Sequence, residues 1–287
     1  IRLRGSAAGR ARDGTSYQGF NIAFPNDQLF RGVHSSVSID RSNRSPVVRR
    51  PDEIYIKHMF NHAGVPCMYD DLVHMIGPSS TYTGTALLLM ARYGGLFTES
   101  QFDNGGNGSV YSPAATYDPA TTVGGGVESL KLPVPFSDIR SDFRDMGDSE
   151  EDYRVLHEIR TGLRRDDFSA LIQFCKTMSL PTAQLEAQID SVLDVDQAMR
   201  YAALTMLCGI GDTYVGGCLP CNIRVYAPPL GSGKVVILPW DNDFVFNRST
   251  TSSMLPSGSN LRRVIDLPRF RRLYWGHVQD LVNRTFN

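Results

Sequence analysis

A change of texture at Pro133 and Pro135 divides the chain into two kinds of segment. Before it, short runs alternate apolar and polar side chains at period two and break at turn residues, as half-buried strands do. Ile1–Arg4 alternates, as does Phe20–Phe24 up to Pro25, and Leu72–Ile76 and Thr85–Ala91 read as strands around a turn-rich connection, Pro78–Gly84. One helix fits, from Asp52 to His62, with Gly64 and Pro66 to end it. Asp103-Asn-Gly-Gly-Asn-Gly108 marks a hairpin or loop. After the prolines, helical spacing takes over in 138–146, 152–162, 167–178 and 194–207, with Ser149 and Asp194 as caps and a short helix after Pro181-Thr182. Two short strands, Asn222–Tyr226 and Val235–Pro239, and a last helix from Leu267 to Val282 complete the chain. The spacing therefore predicts an α+β protein with a β-rich lobe over 1–132 and a helical lobe over 133–287.

Charge excludes several functions. Lysine and arginine total 29 against 30 acids, for a net charge of −1, which rules out a polybasic nucleic-acid binder and a disordered tail. No run approaches the roughly 18 apolar residues of a membrane helix, and no signal peptide is visible. The chain opens inside a strand at Ile1, so it reads as a piece of a longer protein. Only Lys57, Lys131, Lys176 and Lys234 are lysines, so chemistry that needs an amine has few candidates.

Three polar residues sit at the ends of apolar elements. Asp212 follows the run Ala202–Ile210, Asn222 opens a strand, and Asp241 follows the buried-looking strand Val235–Trp240. A turn or cap explains any one of them. Together, in this order, they supply what phosphoryl transfer needs: a carboxylate at the acceptor hydroxyl, and an amide oxygen and second carboxylate to hold a hard cation on the phosphates. Oxygen ligands suit Mg²⁺ or Mn²⁺ rather than zinc.

Gly211-Asp212-Thr-Tyr214, Cys221-Asn222-Ile-Arg-Val-Tyr226 and Leu238-Pro-Trp-Asp241-Asn-Asp-Phe244 resemble the spore-coat protein H (CotH) kinase family. Further matches run in order: Leu3-Arg4-Gly5-Ser6, the helix end Phe60–Pro66, Gly106–Tyr111, Ser129-Leu-Lys131 and Leu267–Tyr274. The resemblance implies a two-lobed, atypical protein-kinase-like fold and phosphate transfer from ATP to Ser or Thr of a secreted or coat-type protein. It implies Asp212 as the catalytic carboxylate, Asn222 and Asp241 as metal ligands with Asp243 as a helper, and Arg4, Gly5, Ser6 and Lys131 at the nucleotide. Its partners are then a nucleotide and an acceptor protein, with a secreted or cell-envelope address. The chain departs from the family pattern in lacking a Lys in Ser16–Phe20 and a Glu in Leu87–Met90, the pair that positions the α- and β-phosphates in kinases. Lys131, Lys57 or Arg4 would then neutralise the phosphates. A catalytically inactive relative, acting as a binding or structural module, stays open as the alternative.

Other signals lead to plainer readings. Cys218-Leu-Pro-Cys221 is a lone CxxC without a second pair or a nearby His, so a structural or disulfide pair outweighs zinc or redox chemistry. Gly231-Ser-Gly-Lys234 leads into a strand and reads as a hairpin turn, not a phosphate loop. His58 and His62 form a solvated helix face without the HExxH glutamate, and Arg262, Arg263 and Arg269–Arg272 read as a salt-bridged surface. A metal-dependent hydrolase would need more acids or histidines near Asp241, and no Gly-x-Ser-x-Gly is present.

Overall fold

The computed structural model describes residues 2–3, 20–40, 50–78, 83–115, 139–140, 142–162, 164–218 and 221–286. They form two compact units. The expected turn at 5–9, most of the connection at 78–84 and the change of texture at 130–137 lie outside the described residues.

In the first unit, whose described residues fall within 1–54 and 68–92, the period-two runs become one antiparallel sheet. Strands β1 (Arg2–Leu3), β2 (Phe20–Ala23), β3 (Ser36–Asp40), β4 (Asp70–Met75) and β5 (Gly84–Met90) lie in the order β1-β2-β3-β5-β4. The β3–β5 register sets Ser38 opposite Met90, and Val37, Ser38 and Ile39 are buried. Ser38 Oγ and Arg92 Nη2 both donate to Asn21 Oδ1 at 2.7 Å, which gives the buried Ser38 hydroxyl a partner within the sheet.

The second unit holds the remaining described residues, within 55–67, 93–115 and 139–286. Helix α1 (Arg50–His62) contributes Ile56, Met59 and Phe60 to its core and ends at Gly64, whose φ of +75° releases the chain as expected. Strands β6 (Ser109–Ser112), β9 (Glu158–Ile159), β10 (Ile223–Ala227) and β11 (Val236–Pro239) build a second antiparallel sheet in the order β11-β10-β6-β9, and β7 (Ala114–Ala115) pairs with β8 (Ile139–Arg140). One face of that sheet, with Tyr111, Ile223, Val225 and Ile237, joins the helical core. On the opposite face, Phe102 stacks on Tyr226 at 4.2 Å.

Helices α3 (Glu150–Leu156), α4 (Ser169–Met178), α5 (Thr182–Val192), α6 (Val195–Leu207), α7 (Asn260–Asp266) and α8 (Pro268–Arg284) surround the core. Asp194 caps α6 by accepting from Gln197 N at 3.1 Å. Gln197 itself is buried and closes the outer edge of β11, its Nε2 donating to Ile237 O at 2.6 Å while its Oε1 accepts from Ile237 N at 3.2 Å. An edge strand finished this way offers no ladder to another chain at that point. The fold class is thus α+β with antiparallel sheets, and among the described residues no helix is long and apolar enough to cross a membrane.

Four expectations need correction. None of the described residues of 138–146 is helical: β8 is followed by bends, because Asp142 is claimed by Tyr214 Oη at 2.5 Å and Asn260 N at 2.6 Å, and Phe143 is inserted among Phe174, Tyr214 and His157. Those long-range contacts outweigh helical spacing. The stretch expected as one helix to Gly162 stops at Leu156 and continues as β9. Ser149 precedes α3 but makes no side-chain cap bond. The front third holds a second helix, α2 (Gly95–Gln101), so the Asn-Gly-rich segment links a helix to β6 through a tight 3-10 turn, Gly105–Asn107, the loop of its two readings and not the hairpin.

Candidate functional site

The run Ala202–Met206, apolar except for Thr205, is buried on all sides because α6 passes through the middle of the core. Its exit is abrupt. Gly209 takes φ +58°, Ile210 returns to the core, and Thr213 O then accepts from the N–H groups of Gly216, Gly217 and Cys218 at 3.0–3.1 Å. Gly216 has no alternative here, since a Cβ would stand 2.4 Å from Ile210 O and 2.6 Å from Gly211 O. Asp212 is half-buried inside this tightly wound turn.

Asn222 Nδ2 reaches back across the turn, donating to Asp212 O at 2.6 Å and to Asp212 Oδ2 at 3.3 Å. The chain then enters β10, whose first residue pairs with the last of β11, Ile223 with Pro239. Asn222 and Asp241 therefore stand just outside the same end of two neighbouring strands. Both have left-handed backbones, φ +50° and +54°. That conformation costs most residues roughly 1–2 kcal/mol, and Asn and Asp tolerate it best, so side-chain type and backbone agree. Beyond Asp241 and the half-buried Asp243, the chain folds back onto the end of α6, with Phe246 N donating to Cys208 O at 2.7 Å and Asn247 N to Gly209 O at 3.2 Å. Asn242 between the two acids is 1% exposed, and its Nδ2 has no partner among the described residues.

One basic residue near this end stands inside the Cys221–Tyr226 motif but is given no role by the sequence reading. Arg224 is 9% exposed, on the β10 face opposite the core, with its guanidinium carbon 4.4 Å from the Trp240 ring centroid and Nη1 donating to Ile223 O at 2.8 Å. Burial pushes its pKa down to about 9, the Arg160 charge pushes the same way, and the Asp241 carboxylate opposes both. Its signal in the sequence is a lone arginine inside the apolar strand Ile-Arg-Val-Tyr-Ala. Trp240 is held in turn by Tyr93, whose hydroxyl donates to Pro239 O and whose ring lies 6.0 Å away.

Cys218 and Cys221 are joined in a disulfide, the plainer of the readings open to a lone CxxC. Cys221 Sγ lies 3.4 Å from Asp212 Oδ1, a contact with no S–H to donate in the oxidised pair. Asp212 and Asn222 are thus in direct contact, and Asp241 shares their end of the β10–β11 hairpin. Arg4, Gly5, Ser6 and Lys131 lie outside the described residues. Lys57 is fully buried on α1. His58 and His62 are exposed, and the basic helix face is ion-paired as expected, Arg262 and Arg271 with Asp266 and Arg269 with Asp190. In donor chemistry, Asp241, Asp243 and the Asn222 amide oxygen suit a hard divalent cation.

Residues 114–287 match the family model described as CotH kinase protein, so the resemblances at Leu3–Ser6, Phe60–Pro66 and Gly106–Tyr111 precede the matched stretch. No curated protein matches the chain. Among solved structures, a chain of the Shewanella oneidensis MR-1 toxin–antitoxin complex of HipA, HipB and operator DNA is similar at 11% identity and a TM-score of 0.33, covering 97% of this chain and 60% of that one.

Proposed function

This chain belongs to the CotH kinase family, and from that premise we propose that it is an atypical protein kinase transferring phosphate from ATP to Ser or Thr of a secreted or coat-type protein. In this reading the fold is kinase-like and two-lobed, with 1–132 as the β-rich N-lobe and 133–287 as the helical C-lobe. The observation that carries the proposal is the convergence of Asp212, Asn222 and Asp241 at one end of the β10–β11 hairpin.

Asp212 acts as the carboxylate that orients the acceptor hydroxyl and takes its proton. The Asn222 amide bonds both the backbone carbonyl and Oδ2 of Asp212, which fixes the carboxylate's rotation before substrate arrives. Asp241 is the main metal ligand, with Asn222 Oδ1 and Asp243 beside it. A divalent cation, Mg²⁺ or Mn²⁺, supplies charge neutralisation on the phosphate oxygens when bound. Arg4, Gly5, Ser6 and Lys131 hold the nucleotide, and Arg224 beside Asp241 adds fixed positive charge where the usual Lys is lacking. The Cys218–Cys221 disulfide supports an oxidising, extracytoplasmic compartment.

Thermal unfolding with and without Mg²⁺-ATP tests the reading without knowledge of the acceptor. Ligand at about 100 times its dissociation constant adds roughly 2.7 kcal/mol, a rise of about 4–5 °C at an unfolding entropy of about 2.1 cal/mol/K per residue over 287 residues. Asp241→Ala should lose the metal-dependent rise, and Asp212→Ala should keep it while losing transfer of labelled phosphate. An unchanged rise in Asp241→Ala removes its assignment. The missing Lys and Glu favour a second reading, an inactive module, which predicts no rise with any nucleotide and metal.

A further inference from the structure

The CxxC motif gains in space the third ligand it lacks in sequence. One oxygen of Asp212 and the sulfurs of Cys218 and Cys221 all lie within 4.8 Å of one another, and all three residues are partly exposed. A tetrahedral Zn²⁺ with Zn–S about 2.3 Å and Zn–O about 2.1 Å needs its sulfurs about 3.8 Å apart and each roughly 3.6 Å from the oxygen. The Cys221–Asp212 contact of 3.4 Å already meets the second spacing, and Cα atoms 5.4 Å apart let the two sulfurs meet the first once the bond between them is open.

We propose that Cys218, Cys221 and Asp212 form a redox-gated zinc site. A dithiol reductant passes two electrons and two protons to the Cys218–Cys221 bond, becoming a disulfide itself and leaving two thiols. One Zn²⁺ then displaces both thiol protons and is held by two thiolates and one Asp212 oxygen, with water in the fourth position. Two thiolates distinguish this site from the all-oxygen set at Asp241, because soft sulfur ligands select zinc over Mg²⁺. Capture of Asp212 by zinc would also withdraw the proton acceptor of the proposed kinase. That consequence rests on the kinase reading; the metal site does not.

The test uses the full chain, reduced with excess dithiol, freed of it under argon, and titrated with Co²⁺ and then Zn²⁺. One equivalent of Co²⁺ should bind with intense thiolate-to-metal charge-transfer absorption and be displaced by Zn²⁺, while in the oxidised chain, where only the oxygen set at Asp241 is open to the metal, no such band appears. Cys218→Ser with Cys221→Ser should abolish the band. Asp212→Asn should keep the charge-transfer band but weaken affinity by more than the roughly 10–100-fold that an outer-shell partner is worth. Absence of the charge-transfer band in the reduced chain overturns the proposal. So does a band that survives the double serine variant, which would assign the metal to Cys67, Cys175 or Cys208. Equal affinity in Asp212→Asn overturns the carboxylate ligand. The comparison of oxidised with reduced wild type needs no variant to fold, and the Mg²⁺-ATP melting shift of the oxidised chain tests the kinase reading separately.

Discussion

His157 is fully buried at the end of α3, with its ring centroid 6.0 Å from those of both Phe143 and Tyr153. Nδ1 lies 3.3 Å from Tyr153 O, which makes Nδ1 the protonated nitrogen of the neutral ring, and Nε2 has no partner among the described residues. A proton added at Nε2 would place an unpaired charge among aromatic rings. Burial accordingly lowers the pKa from 6.5 to about 4, against the smaller upward pull of the Tyr153 carbonyl. The folded state thus binds fewer protons than the unfolded state between pH 6.5 and 4, and stability falls as pH falls through that window. A fall from 6.5 to about 4 corresponds to roughly 3 kcal/mol, present in full above pH 6.5 and gone near pH 4, with no further loss from this group below. Urea unfolding of wild type and His157→Phe from pH 8 to 4 isolates the effect, because the variant keeps an aromatic ring but cannot titrate. Their stability difference should move by about 3 kcal/mol in favour of the variant between pH 7 and 4, whatever constant offset the lost hydrogen bond leaves. Parallel profiles, or a His157 imidazole resonance titrating near pH 6.5, would refute the burial argument and with it the insertion of Phe143 into the core.

Gly216→Ala should destabilise the chain by about 1–3 kcal/mol, as overpacking does, and shift the Asp212 turn; thermal melting and the Mg²⁺-ATP shift measured together would register both. Gln197→Ala leaves the N–H and C=O of Ile237 buried without partners, at about 1–3 kcal/mol for each group; a loss under about 1 kcal/mol in chemical unfolding would mean water replaces the amide. Asp194→Ala should cost about 0.5–2 kcal/mol through its lost cap bond, whereas Ser149→Ala, which removes no side-chain cap bond, should leave the melting temperature unchanged.

Elements built from local signals are legible in the order of residues alone. Phe20–Phe24 alternates and meets a proline, α1 ends at a glycine in the left-handed region, and α6 begins at an aspartate that caps it. Each depends on residues within a few positions of one another, so periodicity and end chemistry suffice. Where local spacing competes with distant partners it loses. The 139–146 stretch carries helical spacing, yet Asp142 is bonded to Tyr214 and Asn260, and Phe143 packs against Phe174. Helix α2 is invisible in the sequence for another reason: it is only seven residues long and begins at Gly95 without a side-chain cap.

The candidate site divides in the same way. The order of Asp212, Asn222 and Asp241 along the chain, and the family it resembles, stand in the sequence. Their meeting does not, because it needs the Asn222 amide folded onto Asp212, the Ile223–Pro239 register and the return of Phe246 to Cys208, three contacts between separate elements. Arg224 and the sulfur contact at Asp212 are hidden for that reason too. Whether a strand arginine is solvated or buried depends on what covers its face, and whether a cysteine pair has a third ligand depends on which loop folds against it. Neither is a property of neighbouring residues; both are set by packing, in which burial of the surrounding apolar surface holds polar groups at distances the chain's own order leaves open.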